Sequence, residues 1–209
     1  MISSYIDLLQ RRYSADLDDK ALGFMGHVVD GAKRMKTLID DLLTFSQLGA
    51  ADNLKPERID ISSLIKQITE DLSAQIEPLG ATVEAEQLPM VYASRSQLSM
   101  LLRNLIDNAL KYHGDQAPQI RITVDAQASQ WLFCVSDNGI GIGIDPKQHA
   151  RIFDLFKRLH TRSEIAGTGI GLAACQRIVQ RCGGRIWIAS QIGEGAQFFF
   201  TIPRVDPDA

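Results

Sequence analysis

The sequence predicts an α/β sandwich, in which helices lie on one face of a mixed β-sheet, preceded by an α-helical hairpin. Segments 120–124 and 131–136 alternate apolar and polar residues, as paired strands do. In segments 101–112 and 168–181 the apolar residues instead recur at helical spacing, so each segment can pack one face on a sheet. The first 48 residues carry only helical patterns, which indicates a separate helical part.

Composition and charge narrow the class of protein. The 209 residues are 45% hydrophobic and 22% charged, which is typical of a globular chain with one large or two small domains. A net charge of −3 gives no general attraction to nucleic acid, so we expect no nucleic-acid partner. The three cysteines lack C-x-x-C spacing, which favours reduced cytoplasmic thiols over disulfides or zinc. No apolar run approaches the ~18 residues that span a bilayer, so we expect no membrane contact.

The N-terminal region predicts two helices of unequal length, at 2–13 and 18–48. From Met25 to Leu42, apolar residues recur at spacings of three and four. The first helix would span about 18 Å and the second about 46 Å, so half of this stripe lacks a partner in its own chain. We therefore expect residues 1–48 to dimerise into a four-helix bundle.

A polar linker at 49–57 separates this hairpin from a second domain at 58–209. In that domain, strand patterns alternate with helical ones, and a glycine-rich turn closes a final hairpin. The predicted strands are 58–61, 81–86, 90–93, 120–124, 131–136, 185–189 and 196–202, and the predicted helices are 62–76, 94–112, 145–156 and 168–181.

The helix that ends near residue 112 carries a polar face. At 100° per residue, Asn108 lies about 40° to one side of Asn104 and Lys111 about 20° to the other. An amide oxygen is a suitable ligand for Mg²⁺, and a lysine can neutralise phosphate. This face therefore offers a metal ligand and a phosphate contact side by side.

Two glycine clusters follow this helix, at Asp137–Ile142 and Gly167–Leu172. Glycine-rich turns let the backbone approach a phosphate closely, and a helix N-terminus presents free N–H groups to anions. Asp137, just before the first cluster's glycines, can accept a hydrogen bond from an exocyclic amine. Each cluster alone is a weak signal, but the polar helix face and both clusters in this order predict a nucleotide-binding site.

These segments resemble the ATP-binding domain of sensor histidine kinases, and the match is closest to kinases attached to phytochrome-like or other sensors. Leu102–Tyr112 is similar to that family's asparagine box and Ile152–His160 to its phenylalanine box. The two glycine clusters are similar to its first and second glycine boxes, and the N-terminal helices to its dimerisation hairpin. The resemblance implies a Bergerat-type ATP-binding fold.

The resemblance also implies roles for individual residues. Asp137 would accept from the adenine amino group, Tyr112 would stack on the base, and Asn108 would hold Mg²⁺. Lys111 and Arg158 would neutralise phosphate charge. The segment from about 143 to 167 would form a lid over ATP. The implied ATP-binding residues are Asn104, Asn108, Lys111, Tyr112, Asp137, Gly139, Gly141, Ile142, Lys157, Arg158, Gly167, Thr168, Gly169, Gly171 and Leu172.

The implied cofactors are ATP and Mg²⁺. The implied partners are a second copy of the chain, a response-regulator receiver domain and an upstream sensor domain. The implied reaction transfers the γ-phosphate of ATP to a histidine and then to an aspartate of the response regulator.

Two features depart from the family pattern. Gly143 and Ile144 are extra residues before the lid, and the phosphoacceptor histidine expected on the first helix is absent. His27 lies on the second helix and no acid follows it, while His113 and His149 are expected at the surface or as helix caps. We therefore expect a fragment of a larger kinase that binds Mg-ATP without phosphorylating itself.

Two alternatives remain. ATPases of the gyrase and chaperone class use a Glu one turn before the Mg²⁺-binding Asn, and here that position is Asn104, which cannot accept a proton. A non-catalytic dimeric docking module is the other alternative, and the intact boxes argue against it.

Overall fold

The computed structural model describes residues 2–13, 18–50, 55–142, 146–157 and 167–204. The chain divides into two compact units, Met1–Gln47 and Leu48–Ala209, and each is described by itself. No helix in these described ranges is long and apolar enough to cross a membrane.

The first unit consists of helices α1 (Ile2–Tyr13) and α2 (Asp19–Ala50), the latter running on into the second unit. The carboxylate of Asp18 accepts a hydrogen bond from Ala21 N at 2.7 Å, which satisfies a free N–H group at the start of α2. Much of the predicted apolar stripe on α2 is exposed in the single chain. Within the stripe, the exposed fractions are 50% for Val28, 54% for Met35, 58% for Ile39 and 48% for Leu42. Two apolar residues next to the predicted stripe are exposed as well, Phe24 at 69% and Leu43 at 56%.

The second unit begins with a small antiparallel pair and two short helices. The elements are β1 (Glu57–Asp60), α3 (Ile61–Asp71), α4 (Ser73–Leu79), β2 (Thr82–Ala85), β3 (Met90–Ala93), α5 (Arg95–Lys111), β4 (Gln119–Ala126), β5 (Gln130–Asp137), a 3-10 helix (Pro146–Phe153), α6 (Gly171–Arg181), β6 (Ile186–Ser190) and β7 (Ala196–Pro203).

Three predicted helices differ from the observed elements. In place of the predicted helix 145–156, the structure has a 3-10 helix at Pro146–Phe153. The predicted helix 62–76 is interrupted at Leu72, where φ is −96° and ψ is 4°, so α3 and α4 are separate. The predicted helix 168–181 begins only at Gly171, because Gly169 has a φ of +74°, which a right-handed helix cannot contain.

A five-stranded mixed sheet organises this unit, with the strand order β2-β4-β5-β7-β6. β2 pairs with β4 in parallel, and the other neighbours are antiparallel. Along β4, Ile120 and Ile122 are buried while Arg121 between them is exposed, as the alternating pattern predicts.

Helix α5 contacts both α3 and α6, and each of these three helices contacts a strand of this sheet. The core between the helices and the sheet includes Leu101, Ile106 and Ile178, which are essentially inaccessible to solvent. Phe133 and Phe200, on neighbouring strands, stack with ring centroids 5.0 Å apart. The predicted α/β sandwich is confirmed.

Candidate nucleotide-binding site

The structure brings the polar face of α5 and the two glycine boxes together. A Cβ atom built on Gly171, the first residue of α6, would lie 3.1 Å from Asn104 Oδ1. One built on Gly167 would lie 3.9 Å from the Tyr112 hydroxyl. Ile140 N donates to Tyr112 O at 2.9 Å, which ties the first glycine box to the end of α5. Segments far apart in the sequence therefore meet around one site.

Helix α5 presents its polar residues beside a buried apolar face. Leu101 and Leu105 lie in the core, whereas Asn104 and Asn108 are half-buried. Lys111, one turn further, is exposed and forms an ion pair with Asp107. An exposed pair at this spacing contributes little stability, so Lys111 can exchange Asp107 for a phosphate at low cost.

Asp137 ends β5 and is held by two backbone groups. Its Oδ1 accepts from Gly139 N at 2.9 Å and from Ala196 N at 3.2 Å. Burial raises the pKa of Asp137, and these two hydrogen bonds partly oppose the rise. Both bonds end on Oδ1, which leaves Oδ2 available as an acceptor for a ligand.

The first glycine box has no room for side chains at two positions. A Cβ on Gly139 would lie 2.3 Å from Tyr112 O, and one on Gly141 would lie 1.9 Å from Gln191 O. Gly141 also has a φ of +68°, which L-residues rarely adopt. These glycines let the box lie directly against α5 on one side and the turn after β6 on the other.

The turn between β6 and β7 supports this box, and sequence reasoning missed its role. Gly193 N donates to Ile140 O at 2.8 Å. Ser190 Oγ accepts from Ile142 N at 2.8 Å and donates to Gly195 O at 2.6 Å. The glycines at 193 and 195, each with a φ of +78°, were the available signal, but they predicted only a hairpin turn.

Asn138 is a second residue that sequence reasoning missed. Its Oδ1 accepts from Gln119 N at 2.8 Å, and its Nδ2 donates to Ala117 O at 3.1 Å. This amide therefore fixes the chain that leads from α5 into β4 against the first glycine box.

The second glycine box is fixed to the phenylalanine box at Phe156 and Lys157. Phe156 N donates to Gly169 O at 2.9 Å, and a Cβ on Gly169 would lie 2.9 Å from Lys157 O. The N-cap residue of α6 is Ile170, which makes no side-chain hydrogen bond to the first N–H groups of the helix. An anion is the natural partner for such a helix start.

The other predicted ATP-binding residues differ in exposure, and some lie outside the described residues. Lys157 is exposed, and Thr168 and Leu172, within the second glycine box, are half-buried. Arg158, most of the predicted lid and the extra residues Gly143 and Ile144 lie outside the described residues.

The expected surface position of His149 is wrong. This residue is buried, because the 3-10 helix that carries it packs against β6 and α6. His113 is half-buried, and its Nδ1 lies 2.6 Å from Gly114 O.

Comparison with known proteins identifies the family. Residues 93–206 match the family described as histidine kinase-, DNA gyrase B-, and HSP90-like ATPase. The chain is 42% identical to the phytochrome-like protein Cph1 of Synechocystis sp. over 202 residues, which are 97% of this chain and 27% of Cph1. It is 34% identical to the adaptive-response sensory kinase SasA of Prochlorococcus marinus, covering 82% of this chain and 45% of SasA. The chain thus spans about a quarter of its phytochrome-like relative.

Two solved structures of histidine kinases also resemble this chain in fold. Full-length ShkA, crystallised in complex with AMPPNP, superimposes with a TM-score of 0.72 at 26% identity, over 100% of this chain and 44% of ShkA. ThkA, crystallised with the response regulator TrrA, shares the fold with a TM-score of 0.70 at 22% identity, over 100% of this chain and 59% of ThkA. The chain therefore belongs to the histidine kinase-, DNA gyrase B- and HSP90-like ATPase family and, within it, is a sensor histidine kinase catalytic core.

Proposed function

We propose that this chain binds Mg-ATP and directs its γ-phosphate to a histidine, from which the phosphate passes to an aspartate of a response-regulator receiver domain. The observation that carries the proposal is that α5 joins the two glycine boxes: Ile140, three residues after the fixed Asp137 carboxylate, is hydrogen-bonded to Tyr112 at the end of α5, and Asn104 on the same helix lies against Gly171 at the start of α6. An adenine nucleotide needs an acceptor for its amino group, a ligand for its Mg²⁺ and an anion-binding group for its phosphates. Asp137, the asparagines of α5 and the start of α6 offer these three features.

In this proposal, Asp137 Oδ2 accepts from the adenine amino group, and Tyr112, Ile142 and Leu172 surround the base. Gly139 and Gly141 let the backbone approach it closely. Desolvation of Asp137 strengthens this hydrogen bond, because competing water is partly excluded.

The phosphates would meet the second glycine box. N–H groups at Gly169–Gly171 lie at the start of α6, where the helix dipole favours negative charge. Gly167 and Thr168 lead into this turn. Lys111, released from Asp107, would supply a positive charge, with Lys157 and Arg158 as further cations.

The residues of the site fit Mg²⁺ bound together with a nucleotide. Asn108 offers an amide oxygen, with Asn104 one turn away on the same helix. Among the described residues, no group of three or more His, Cys, Asp or Glu could hold a metal. Asn108 would therefore hold the ion with phosphate oxygens and water, and bound Mg²⁺ would neutralise phosphate charge.

The residue at position 104 favours phosphate transfer over hydrolysis. A hydrolase of this fold would need a proton acceptor one turn before Asn108, and an amide cannot serve as one. Asn104 instead packs against Gly171, where it lines the start of α6.

Residues 1–48 are proposed as the dimerisation hairpin, 49–57 as the linker and 58–209 as the catalytic domain. The exposed apolar stripe of α2 supports a homodimer built as a four-helix bundle. We place the protein in the cytoplasm, where ATP is present, downstream of a sensor domain.

Titration calorimetry with Mg-ATP tests the nucleotide site. Asp137→Asn is expected to weaken binding about 10- to 100-fold, the effect of losing a charge-assisted hydrogen bond. Asp125→Asn, at an exposed position on β4, is the matched control and should bind as the wild type does. Equal affinity in all three proteins would contradict the site, and absence of binding to the wild type would favour the docking-module alternative.

A further inference from the structure

The turn that joins β6 to β7 lies against the first glycine box. Gly193 N in this turn donates to Ile140 O at 2.8 Å, and Ala196 N, just after the turn, donates to Asp137 Oδ1 at 3.2 Å. A Cβ atom built on Gly195 would lie 1.9 Å from Asp137 O, so the two backbones are in close contact. On the side of the turn, both hydrogen bonds use backbone N–H groups, which any residue except proline supplies.

Ser190, the last residue of β6, makes a further connection through its side chain. Its Oγ accepts from Ile142 N at 2.8 Å and donates to Gly195 O at 2.6 Å. A hydroxyl can donate and accept at the same time, so it suits this bridging position. The Ser190 side chain therefore joins the end of the first glycine box to the end of the turn.

The two ends of the first glycine box are thus held in different ways. At its start, the Asp137 carboxylate accepts from the backbone of Gly139 and Ala196. At its end, Ile142 N is bound by the side-chain hydroxyl of Ser190. A methyl group in place of that hydroxyl would leave Ile142 N without this acceptor, while the hydrogen bonds to Asp137 remain. The end of the box can therefore be loosened without changing its start.

Ser136 provides a matched comparison on the same sheet. It lies on β5, one residue before Asp137, and its side chain is half-buried, as that of Ser190 is. Its Oγ donates to Arg121 O on β4 at 3.2 Å, outside the glycine boxes. Loss of either hydroxyl removes a side-chain hydrogen bond from the sheet, but only the loss at Ser190 releases Ile142.

We propose that Ser190 is a positioning residue for the base of the nucleotide. Its hydroxyl holds the Ile142 backbone in the binding geometry before ATP binds, so that less conformational entropy is lost when the base is bound. Ser190 acts through Ile142 and not by contact with the nucleotide. This inference rests on the proposed function, in which Ile142 lies at the adenine base.

Titration calorimetry of the full chain with Mg-ATP tests the proposal. Ser190→Ala is expected to weaken ATP binding about fivefold, the effect of losing one hydrogen bond. Ser190→Thr keeps the hydroxyl at a strand position that threonine favours, and it should restore the affinity. Ser136→Ala, the matched control, should bind ATP as the wild type does.

Thermal unfolding and hydrogen exchange without nucleotide separate positioning from stability. Ser190→Ala and Ser136→Ala should lower the unfolding temperature by similar amounts. Amide exchange at Ile142 should become faster in Ser190→Ala and remain slow in Ser190→Thr and Ser136→Ala.

Three results would overturn the role of Ser190 while the proposed function stands. They are wild-type ATP affinity in Ser190→Ala, an equal loss of affinity in Ser136→Ala, and a loss that Ser190→Thr does not reverse. A wild type that does not bind Mg-ATP would instead overturn the proposed function, and this inference with it.

Discussion

The buried position of the Asp137 carboxylate lowers the free energy of unfolding when this carboxylate is ionised. Burial raises its pKa, so the folded protein favours the protonated form more than the unfolded chain does. Ionised Asp137 therefore destabilises the fold at neutral pH, and this cost disappears as the pH falls through the raised pKa. A carboxylate retained despite such a cost is typical of a binding site.

We expect Asp137→Asn to unfold at a higher temperature than the wild type at pH 7, because the amide carries no charge and its oxygen can still accept from Gly139 and Ala196. The difference should shrink on acidification towards about pH 4, as Asp137 in the wild type becomes protonated. Thermal unfolding followed by circular dichroism measures both effects, and the exposed Asp125→Asn is the control. A lower unfolding temperature for Asp137→Asn at pH 7 would contradict this interpretation.

The sequence predicts the residues proposed to contact ATP, but it does not predict the residues that support them by hydrogen bonds. Asp137 and the box glycines belong to short local patterns, which can be recognised in a linear sequence. Ser190 meets Ile142 across 48 residues, and that contact exists only because β6 and β7 return to the end of β5. The burial of His149 likewise depends on how the 3-10 helix packs against β6 and α6. The spacing of apolar residues along the sequence does not predict this burial.

Among the elements, the joint between the phenylalanine box and α6 leaves no room for a side chain at Gly169. Gly169→Ala would place a Cβ 2.9 Å from Lys157 O in a backbone with a φ of +74°. Gly193→Ala has a similar φ of +78° but meets nothing within 4 Å. The pair therefore separates backbone strain, about 1–2 kcal/mol in each, from steric displacement of the box.

We expect Gly169→Ala to lose at least tenfold more ATP affinity than Gly193→Ala, while both keep the spectrum of a folded sheet. The physical reason is that only the first substitution pushes the start of α6 away from the phosphates. Titration calorimetry with ATP measures the difference. Similar losses in the two variants would show that strain alone matters and that the joint does not position α6.

The elements themselves were largely predictable where one face packs on the core. Alternation marked β4 and β5 because their outward residues, such as Arg121, face solvent. The order β2-β4-β5-β7-β6 was not predictable, since pairing partners are chosen by tertiary packing that sequence periodicity does not encode. The division between α3 and α4 at Leu72 has no proline or glycine to signal it.

At the scale of the whole molecule, the exposed stripe of α2 predicts self-association. Ile39→Asp, at a position 58% exposed in the single chain, should leave a monomer's fold intact but place a charge in the dimer seam. Ser46→Asp, at an exposed polar position on the same helix, is the control. Sedimentation velocity should show a dimer for the wild type and Ser46→Asp and a monomer for Ile39→Asp. A wild type that remains monomeric at all concentrations would contradict the proposed bundle.

Self-phosphorylation also depends on the whole molecule, because it requires both a nucleotide site and an acceptor histidine. We expect that this polypeptide binds Mg-ATP but does not phosphorylate itself. In-line transfer requires an accessible acceptor nitrogen close to the γ-phosphorus, and tight nucleotide binding cannot replace it. His149 is buried, and exposed His27 is followed by Val28, so no adjacent acid can accept its proton. The four histidines of the chain are His27, His113, His149 and His160.

Incubation of the 209-residue chain with γ-labelled ATP, followed by acid treatment, measures this directly, because phosphohistidine is acid-labile. Wild-type protein should bind ATP by calorimetry and yet carry no acid-labile label. The ATP-binding residues would then explain the binding, and the lack of a suitable acceptor histidine would explain the absence of label. Acid-labile label that disappears in His27→Ala but persists in His113→Ala would instead identify His27 as the acceptor and overturn the prediction.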